Sequence, residues 1–503
     1  MNVLLVYPQY PDTFWSFKHA IRFISKKSVY PPLGLLTIAA MLPREWKLKL
    51  IDLNVQSLRD RHIEWADLVC ISAMAVQTRS AREVIRRTSA AGKRMVAGGP
   101  LFTESHEEFP QVDHFILNEA ETTLPPFLND LRQGHPLRIY AEKDFPDLSL
   151  TPSPRWDLVN MKKYVSMNLQ YSRGCPFNCE FCSVTALFGH RVRTKTAAQV
   201  VMELDALYLQ GWRGGVFFVD DNFIGNRGAL KKRVLPAIIQ WNEAHRNPFS
   251  FNTEASLNLA DDPELMAMMV RAGFDQVFVG IETPEKSCLE ACGKTQNACR
   301  DLTASVKRIQ SSGLEVMGGF IVGFDNDPPS IFHRQIEFIQ KSGIITAMVG
   351  LLNAPRNTRL YQRLKKENRI IKGFTGDNTD FSINFQPKMD MGDLLRGYRR
   401  IVESIYACKP YTQRVMAFLR QKSLHLKALR RAGKPPLRGG MQLRFCHIKA
   451  AIRAFFVLGI RDSGRKYYWK LCIWSLFRCP RLFPQAITFA IYGFHFRRVF
   501  HAR

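Results

Sequence analysis

Short β-branched runs alternate with helical stretches in two separate series along the 503 residues, and this rhythm restricts the fold to parallel sheets covered by helices. In the first series the strands are Val3–Tyr7, Leu48–Asp52, Leu68–Ser72, Arg94–Ala97 and His114–Leu117, with helices at Leu33–Leu42 and Arg82–Ala91. This predicts a doubly wound, Rossmann-like α/β domain over 1–140, with ligands at the carboxyl ends of its strands. A linker punctuated by Pro146, Pro152 and Pro154 covers 141–164.

The second series has strands at Asn168–Tyr171, Gly215–Val219, Ser250–Thr253, Gln276–Gly280, Met317–Val322 and Met348–Leu352, separated by helical stretches such as Ala197–Leu209 and Asp301–Ser311. Six βα units over 165–390 predict a partial (β/α)6 barrel with its chemistry at the strand C-termini. Residues 391–503 read as a helical C-terminal region, basic and aromatic, with 24 Lys/Arg against 3 Asp/Glu in a chain of net charge +27. Such a tail suits an anionic partner, nucleic acid or a membrane surface. Its apolar, uncharged segment Leu482–Phe496 is too short to span a bilayer. The N-terminus carries no basic n-region, so no signal peptide is read there and the protein is expected in the cytoplasm.

Eleven cysteines in that compartment point to metal or packing rather than disulfides. Cys175, Cys179 and Cys182 stand at C-x3-C-x2-C spacing in Tyr171-Ser172-Arg173-Gly174-Cys175-Pro176-Phe177-Asn178-Cys179-Glu180-Phe181-Cys182. Iron–sulfur clusters normally take four thiolates, so three leave one iron open to a substrate. A zinc site is the alternative, with His190 as the nearby fourth ligand. Cys288, Cys292 and Cys299 form a second group. The first two sit at helical spacing, which suits core packing, and a second cluster is the alternative. Cys70, Cys408, Cys446, Cys472 and Cys479 read as structural.

The cysteine loop, the aromatic Phe181 before its last cysteine and the barrel pattern resemble the radical S-adenosylmethionine (SAM) superfamily. That resemblance implies a [4Fe-4S] cluster on the three cysteines that cleaves SAM to a 5′-deoxyadenosyl radical. It also implies SAM contacts from successive strand ends: Asp220, Asp221 and Asn222, then Glu254, then Glu282, then Gly319 and Gly323. No further catalytic residue is singled out.

The first domain resembles cobalamin-binding domains through Gly34, Ser72-Ala73-Met74 and Gly98-Gly99-Pro100. The resemblance implies that Gly34, Ser72, Met74, Gly98 and Gly99 house cobalamin. Anchored on Gly34, the Asp and His positions of the D-x-H-x-x-G motif hold Val29 and Pro31, so the histidine under the cobalt is absent. Either cobalamin binds without it, or the domain only packs.

Tyr30–Thr37, Trp65–Val69, Asn118-Glu119-Ala120-Glu121, Asn384–Met389 and Gly397 to Tyr406 are similar to segments of the hopanoid C-2 methylase group. Asn118 departs from it, standing where Gly is expected, and Asn tolerates a left-handed turn. The resemblance implies methyl transfer to an unactivated carbon of a lipid or isoprenoid. It further implies an external one-electron donor such as flavodoxin or ferredoxin. In the tail from about Gly439, Arg453, Arg461, Arg465, Lys466, Lys470, Arg497 and Arg498 interleave with Phe455, Phe456, Tyr467, Tyr468, Trp469, Trp474, Phe494 and Phe496. That mixture suits peripheral docking on the inner membrane face, with packing of the apolar faces on the barrel as the alternative. Carbon–carbon coupling of lipids, tRNA modification and a non-catalytic carrier remain as alternatives. A nucleic-acid partner is disfavoured because no RNA-binding β-barrel follows the barrel domain.

Overall fold

The computed structural model describes residues 1–431 and 445–501. The expected tail start at Gly439 lies outside the described residues, as does the side chain of Cys446. The first sheet is built from β1 (Asn2–Tyr7), β2 (Lys47–Asp52), β3 (Leu68–Ser72), β4 (Arg94–Gly98), β5 (His114–Ile116) and β6 (Ile139–Tyr140). All pairs are parallel, in the order β2-β1-β3-β4-β5-β6. Val3, Leu4, Leu5 and Val6 are wholly buried, as a central parallel strand covered on both faces requires. The order reverses between β1 and β3, which opens a crevice at the carboxyl edge. The register sets Ser72 beside Gly98 on that edge. The short β6 was not foreseen, and the helix expected at Arg82 starts at Thr78.

The second sheet begins with β7 (Met167–Leu169). A two-stranded antiparallel hairpin, β8 (Ser172–Arg173) and β9 (Arg193–Thr194), follows and encloses the cysteine loop. The sheet continues with β10 (Gly215–Phe218), β11 (Ser250–Glu254), β12 (Phe274–Glu282), β13 (Glu315–Val322) and β14 (Ala347–Leu351). The six strands run parallel in sequence order, an open (β/α)6 barrel. Along β10 and β11 burial alternates, with Phe218, Phe251 and Thr253 under the helices and Phe217, Asn252 and Glu254 partly accessible on the inner face.

An open barrel leaves β14 as an exposed edge, and such an edge needs cover. The helix Met391–Tyr406, capped by Asp390, supplies it: Tyr406 Oη donates to the Ala347 carbonyl at 2.7 Å and accepts its N–H at 3.1 Å. Tyr398 Oη donates to the Val349 carbonyl at 3.1 Å. The helices Cys408–Arg431, Phe445–Phe456, Arg465–Arg478 and Phe483–His501 complete the C-terminal region. No helix among the described residues is long and apolar enough to cross a membrane.

Candidate active site

The cysteine loop is pinned from three sides. Gly174 has φ +91°, and a Cβ there would lie 2.7 Å from the Arg191 carbonyl oxygen, so only glycine brings the chain from β8 into the loop. Glu180 donates its N–H to the Cys292 carbonyl at 2.8 Å and accepts from Leu360 N–H at 2.9 Å. Its carboxylate takes Arg363 at 2.6 Å. The amides of Asn222 and Gln296 reach the sulfurs of Cys175 and Cys179, each at 3.9 Å.

Burial pushes the Cys182 thiol up to about 12 and raises Cys175 and Cys179 as well; Lys294 pulls all three back. Burial opposes the charge on Lys294, but Glu282, at 2.6 Å, and the thiols keep it protonated. Buried thiols beside a fixed cation suit deprotonation on binding iron. Among the described residues, no three Cys, His, Asp or Glu side chains converge to hold a single ion, as zinc requires. Three cysteines that each serve a different iron of a cluster need no such convergence. His190 is exposed. The donor set fits the three-cysteine cluster.

The strand ends beyond the loop carry unequal carboxylates. Asp220 is wholly buried and spent on the chain: it accepts from Ser172 Oγ at 2.5 Å, from Ser172 N–H and from Tyr171 N–H at 3.1 Å. It therefore positions the strand that leads into the cysteines, and both its oxygens are engaged. Asp221 and Glu254 are partly accessible on neighbouring strand ends. Burial pushes Asp221 up to about 6; burial and the charges of Asp221 and Asp220 push Glu254 up to about 8. Asn222 ties Cys175 to the segment that follows β11 by accepting from Ser256 N–H at 3.2 Å. Glu282 sits at φ +68°, on a register shift at the end of β12.

The glycines of β13 answer to packing. A Cβ on Gly319 would come within 2.7 Å of the Phe278 ring, so its lack of a side chain makes room for that ring. Gly323, at φ +105°, donates its N–H to the Asp327 carboxylate at 2.7 Å. Phe181 packs against Phe324 at 6.0 Å between ring centroids. The second cysteine group does not assemble: Cys288 is buried and donates to Asp327 at 3.3 Å, Cys292 is buried, and Cys299 is exposed.

In the first domain Gly99 has φ +89°, and a Cβ on it would lie 2.7 Å from Ser72 Oγ. A Cβ on Gly34 would meet nothing, and Met74 is exposed. Ser72, Met74 and Gly99 lie at the carboxyl edge of β3 and β4, where a nucleotide tail beside the sheet fits. Gly34 stands in the first turn of the helix Leu33–Met41, and a Cβ on Gly98 would lie 2.7 Å from the Ile116 carbonyl oxygen, so that glycine answers to strand packing. Pro31 is buried, and its carbonyl accepts from Asn168 of β7 at 3.1 Å. Next to it, Tyr30 packs on Phe217 at 5.1 Å and hydrogen-bonds Asn252. Asn118 adopts φ +61°, the left-handed turn anticipated for it.

Sequence reasoning missed Lys294, Gln296 and the ion network of Arg173 and Arg193 with Glu119 and Glu121. Arg173 lies 2.5 Å from Glu119 and 2.8 Å from Glu121, and Arg193 lies 2.6 Å from Glu119. The only sequence signal for Lys294 is its place in Cys292-Gly293-Lys294, where Gly293, at φ +74°, sits against the Asn178 carbonyl.

Three family models match successive parts of the chain. Residues 21–128 match the B12 binding domain, 169–339 the radical SAM superfamily, and 358–503 a domain of unknown function, DUF4070. An uncharacterized methyltransferase of Synechocystis is 39% identical over 99% of this chain and 91% of its own. The hopanoid C-2 methylase of Rhodopseudomonas palustris is 31% identical over 95% of this chain and 90% of its own. Among solved structures, the cobalamin-dependent SAM radical enzyme OxsB with aqua-cobalamin bound superposes with TM-score 0.61, 14% identity and coverage of 99% and 84%. The radical SAM methyltransferase TsrM of Kitasatospora setae, with cobalamin and a [4Fe-4S] cluster, gives 0.59, 14% identity and coverage of 93% and 99%; these two likenesses are of fold. The chain belongs to the cobalamin-dependent radical SAM methyltransferases, in the family of hopanoid C-2 methylase. Its cofactors are a [4Fe-4S] cluster, SAM and cobalamin.

Proposed function

We propose that this enzyme methylates an unactivated carbon of a lipid or isoprenoid substrate. Cys175, Cys179 and Cys182 hold the cluster, with Asn222, Gln296 and Lys294 around their sulfurs. Asp221 and Glu254 receive the cationic amino end of SAM, Phe181 and Gly323 border it, and Glu282 acts through Lys294. Gly34, Ser72, Met74, Gly98 and Gly99 house cobalamin. When bound, the cluster supplies the electron that cleaves SAM, and cobalamin carries the methyl group that is passed on. The chain's own contribution is to hold the reactants in line and to keep water from the open iron.

The observation that carries this reading is the junction at Tyr30 and Pro31. The segment that opens the cobalamin cradle meets barrel strands β7, β10 and β11, one of which ends in Glu254. The substrate class is supported by the hopanoid C-2 methylase relative, which aligns through the C-terminal region. A donor of flavodoxin or ferredoxin type would supply the electron, and the lipid would be met at a membrane surface. Anaerobic incubation of the reconstituted enzyme with methyl-deuterated SAM and host lipid extract, read by mass spectrometry, tests it. One lipid species should gain a deuterated methyl group. Label in tRNA or protein instead, with lipids unlabelled, would overturn the substrate class.

A further inference from the structure

Of nineteen large apolar side chains exposed among the described residues, nine fall between Ile448 and Phe477. Such a concentration on one short stretch marks an interaction surface rather than scattered surface hydrophobes. On the helix Phe445–Phe456, Ile448, Ile452 and Phe455 recur at i, i+4 and i+7 and share one face, each at least 44% exposed. The opposite face of that helix and the turn after it is satisfied: Ala450, Ala454 and Leu458 are buried in a cluster with Ala20 and Phe23. The helix Arg465–Arg478 repeats the pattern. Trp469, Ile473 and Leu476 face outward at the same spacing, with Phe477 79% exposed, while Tyr468, Leu471 and Cys472 are buried behind them. The Phe455 and Trp469 rings meet edge to face at 5.4 Å, so the two stripes form one continuous surface. Trp469 Nε1 donates to the Gly459 carbonyl at 3.0 Å, which leaves its ring free to lie against something apolar.

The charge around this surface has one sign. Arg461, Arg465, Lys466, Lys470 and Arg478 are exposed. The sole carboxylate in the stretch, Asp462, is held by Arg497 at 2.7 Å. A second copy packed face to face would bring this cationic rim against itself, because a two-fold interface pairs each patch with its own image. An anionic bilayer satisfies both features at once. Helices of 12 and 14 residues lie in the interface plane rather than cross it. We propose that these two helices form a monotopic face that inserts its apolar stripes into an anionic leaflet, with the lysines and arginines at headgroup level. This deepens the lipid-substrate reading, since a substrate of that class resides in the same leaflet.

The sequence placed Phe455, Phe456, Tyr467, Tyr468, Trp469, Trp474, Phe494 and Phe496 together at the membrane. The fold divides them. Tyr468 and Phe496 are buried, Phe494 meets Phe23 at 5.9 Å, and Ile473, Leu476 and Phe477 join the outer face instead.

Co-sedimentation of the full-length protein with vesicles of phosphatidylcholine, alone or mixed with phosphatidylglycerol, tests the face. The wild type should bind the anionic vesicles and weaken with salt. Ile473→Glu/Phe477→Glu should lower that binding by about a hundredfold, and Lys466→Glu/Lys470→Glu should lower it and abolish the preference for phosphatidylglycerol. Both variants should retain cluster content and SAM cleavage, because these side chains lie outside the cofactor cradles. Undiminished vesicle binding by Ile473→Glu/Phe477→Glu overturns the proposal. So does a wild type that ignores vesicles but forms a dimer which this variant loses. If vesicle binding behaves as expected while the methyl acceptor is not a lipid, docking stands and the substrate reading falls. If lipid is methylated in detergent by a protein that never binds vesicles, the reverse holds.

Discussion

Two adjacent aspartates do opposite work at the end of β10. Asp220 turns inward and fastens Ser172 and Tyr171, while Asp221 remains partly accessible beside Glu254. With burial and two carboxylates raising it to about 8, Glu254 is protonated at neutral pH in the protein without cofactors. A group whose folded value lies above its unfolded value of 4.5 contributes stability that is full below 4.5 and lost as pH rises through 8. The cofactor-free protein should therefore lose thermal stability between those values. Glu254→Gln, which cannot ionise, should flatten the decline and exceed the wild type at pH 8, while weakening SAM binding, because the cationic ligand is what the ionised form awaits. Unfolding midpoints from pH 4.5 to 8.5 check it; parallel profiles for the two proteins would refute it. Cys179→Ala should reduce bound iron from about four per chain to near zero and abolish 5′-deoxyadenosine formation in dithionite. Iron assay and chromatography measure both. The three cysteines were legible because their spacing lies within one loop. Asp220 could not be told from Asp221 by sequence, since only the fold decides which neighbour points inward. Lys294 and Gln296 were hidden because they reach the cysteines from more than a hundred residues away.

Among elements, the hairpin β8–β9 joins the two α/β units through buried ion pairs. Arg173 and Arg193 stand on its two strands, Glu119 and Glu121 follow β5 of the cobalamin domain, and both glutamate side chains are 3% exposed. Removing one partner of such a buried group leaves charge without compensation, at a cost of about 3–5 kcal/mol. Arg173→Met should lower stability by that order in urea unfolding. Because Arg173 lies two residues before Cys175, it should also uncouple the reaction, with more 5′-deoxyadenosine formed per methyl group transferred. An unchanged ratio would confine the network to stability. The eleven longer strands were readable from β-branched runs and their spacing. Hairpin strands of two residues, and Ile139–Tyr140, have no periodicity to read, and they arise from what packs around them. The helix Thr78–Ala90 was started late because its first turn, Thr78-Arg79-Ser80-Ala81, carries just one apolar residue.

At the scale of the whole molecule, the chain closes on itself. Phe14, in the excursion between β1 and the helix Leu33–Met41, stacks on Phe496 near the other end of the chain at 4.3 Å with the planes 11° apart. His495 bonds the Phe14 carbonyl at 3.1 Å, and Tyr406, which caps the barrel edge, packs on Phe496 at 4.7 Å. Trp15, the next residue, reaches the barrel: its indole N–H points to Met348 Sδ at 3.1 Å and its ring meets Phe278 at 5.3 Å. The dipeptide Phe14-Trp15 thus touches both the C-terminal helices and the barrel, so the C-terminal region behaves as a clamp on the cobalamin domain rather than as a separable tail. Phe14 is 1% and Phe496 0% exposed, so truncating either to alanine should cost about 3–5 kcal/mol. If the clamp is real, the two losses overlap. The double variant should fall short of their sum by about 0.5–1.5 kcal/mol, the direct ring–ring contribution. A double-mutant cycle on urea midpoints measures this, with cobalamin retention followed in parallel. Additive losses would mean that residues 14 and 496 sit in independently folding parts, and deletion of the last helix should then leave cobalamin binding intact. Coupled losses predict that deleting Phe483–His501 releases cobalamin although it removes none of the residues that house it.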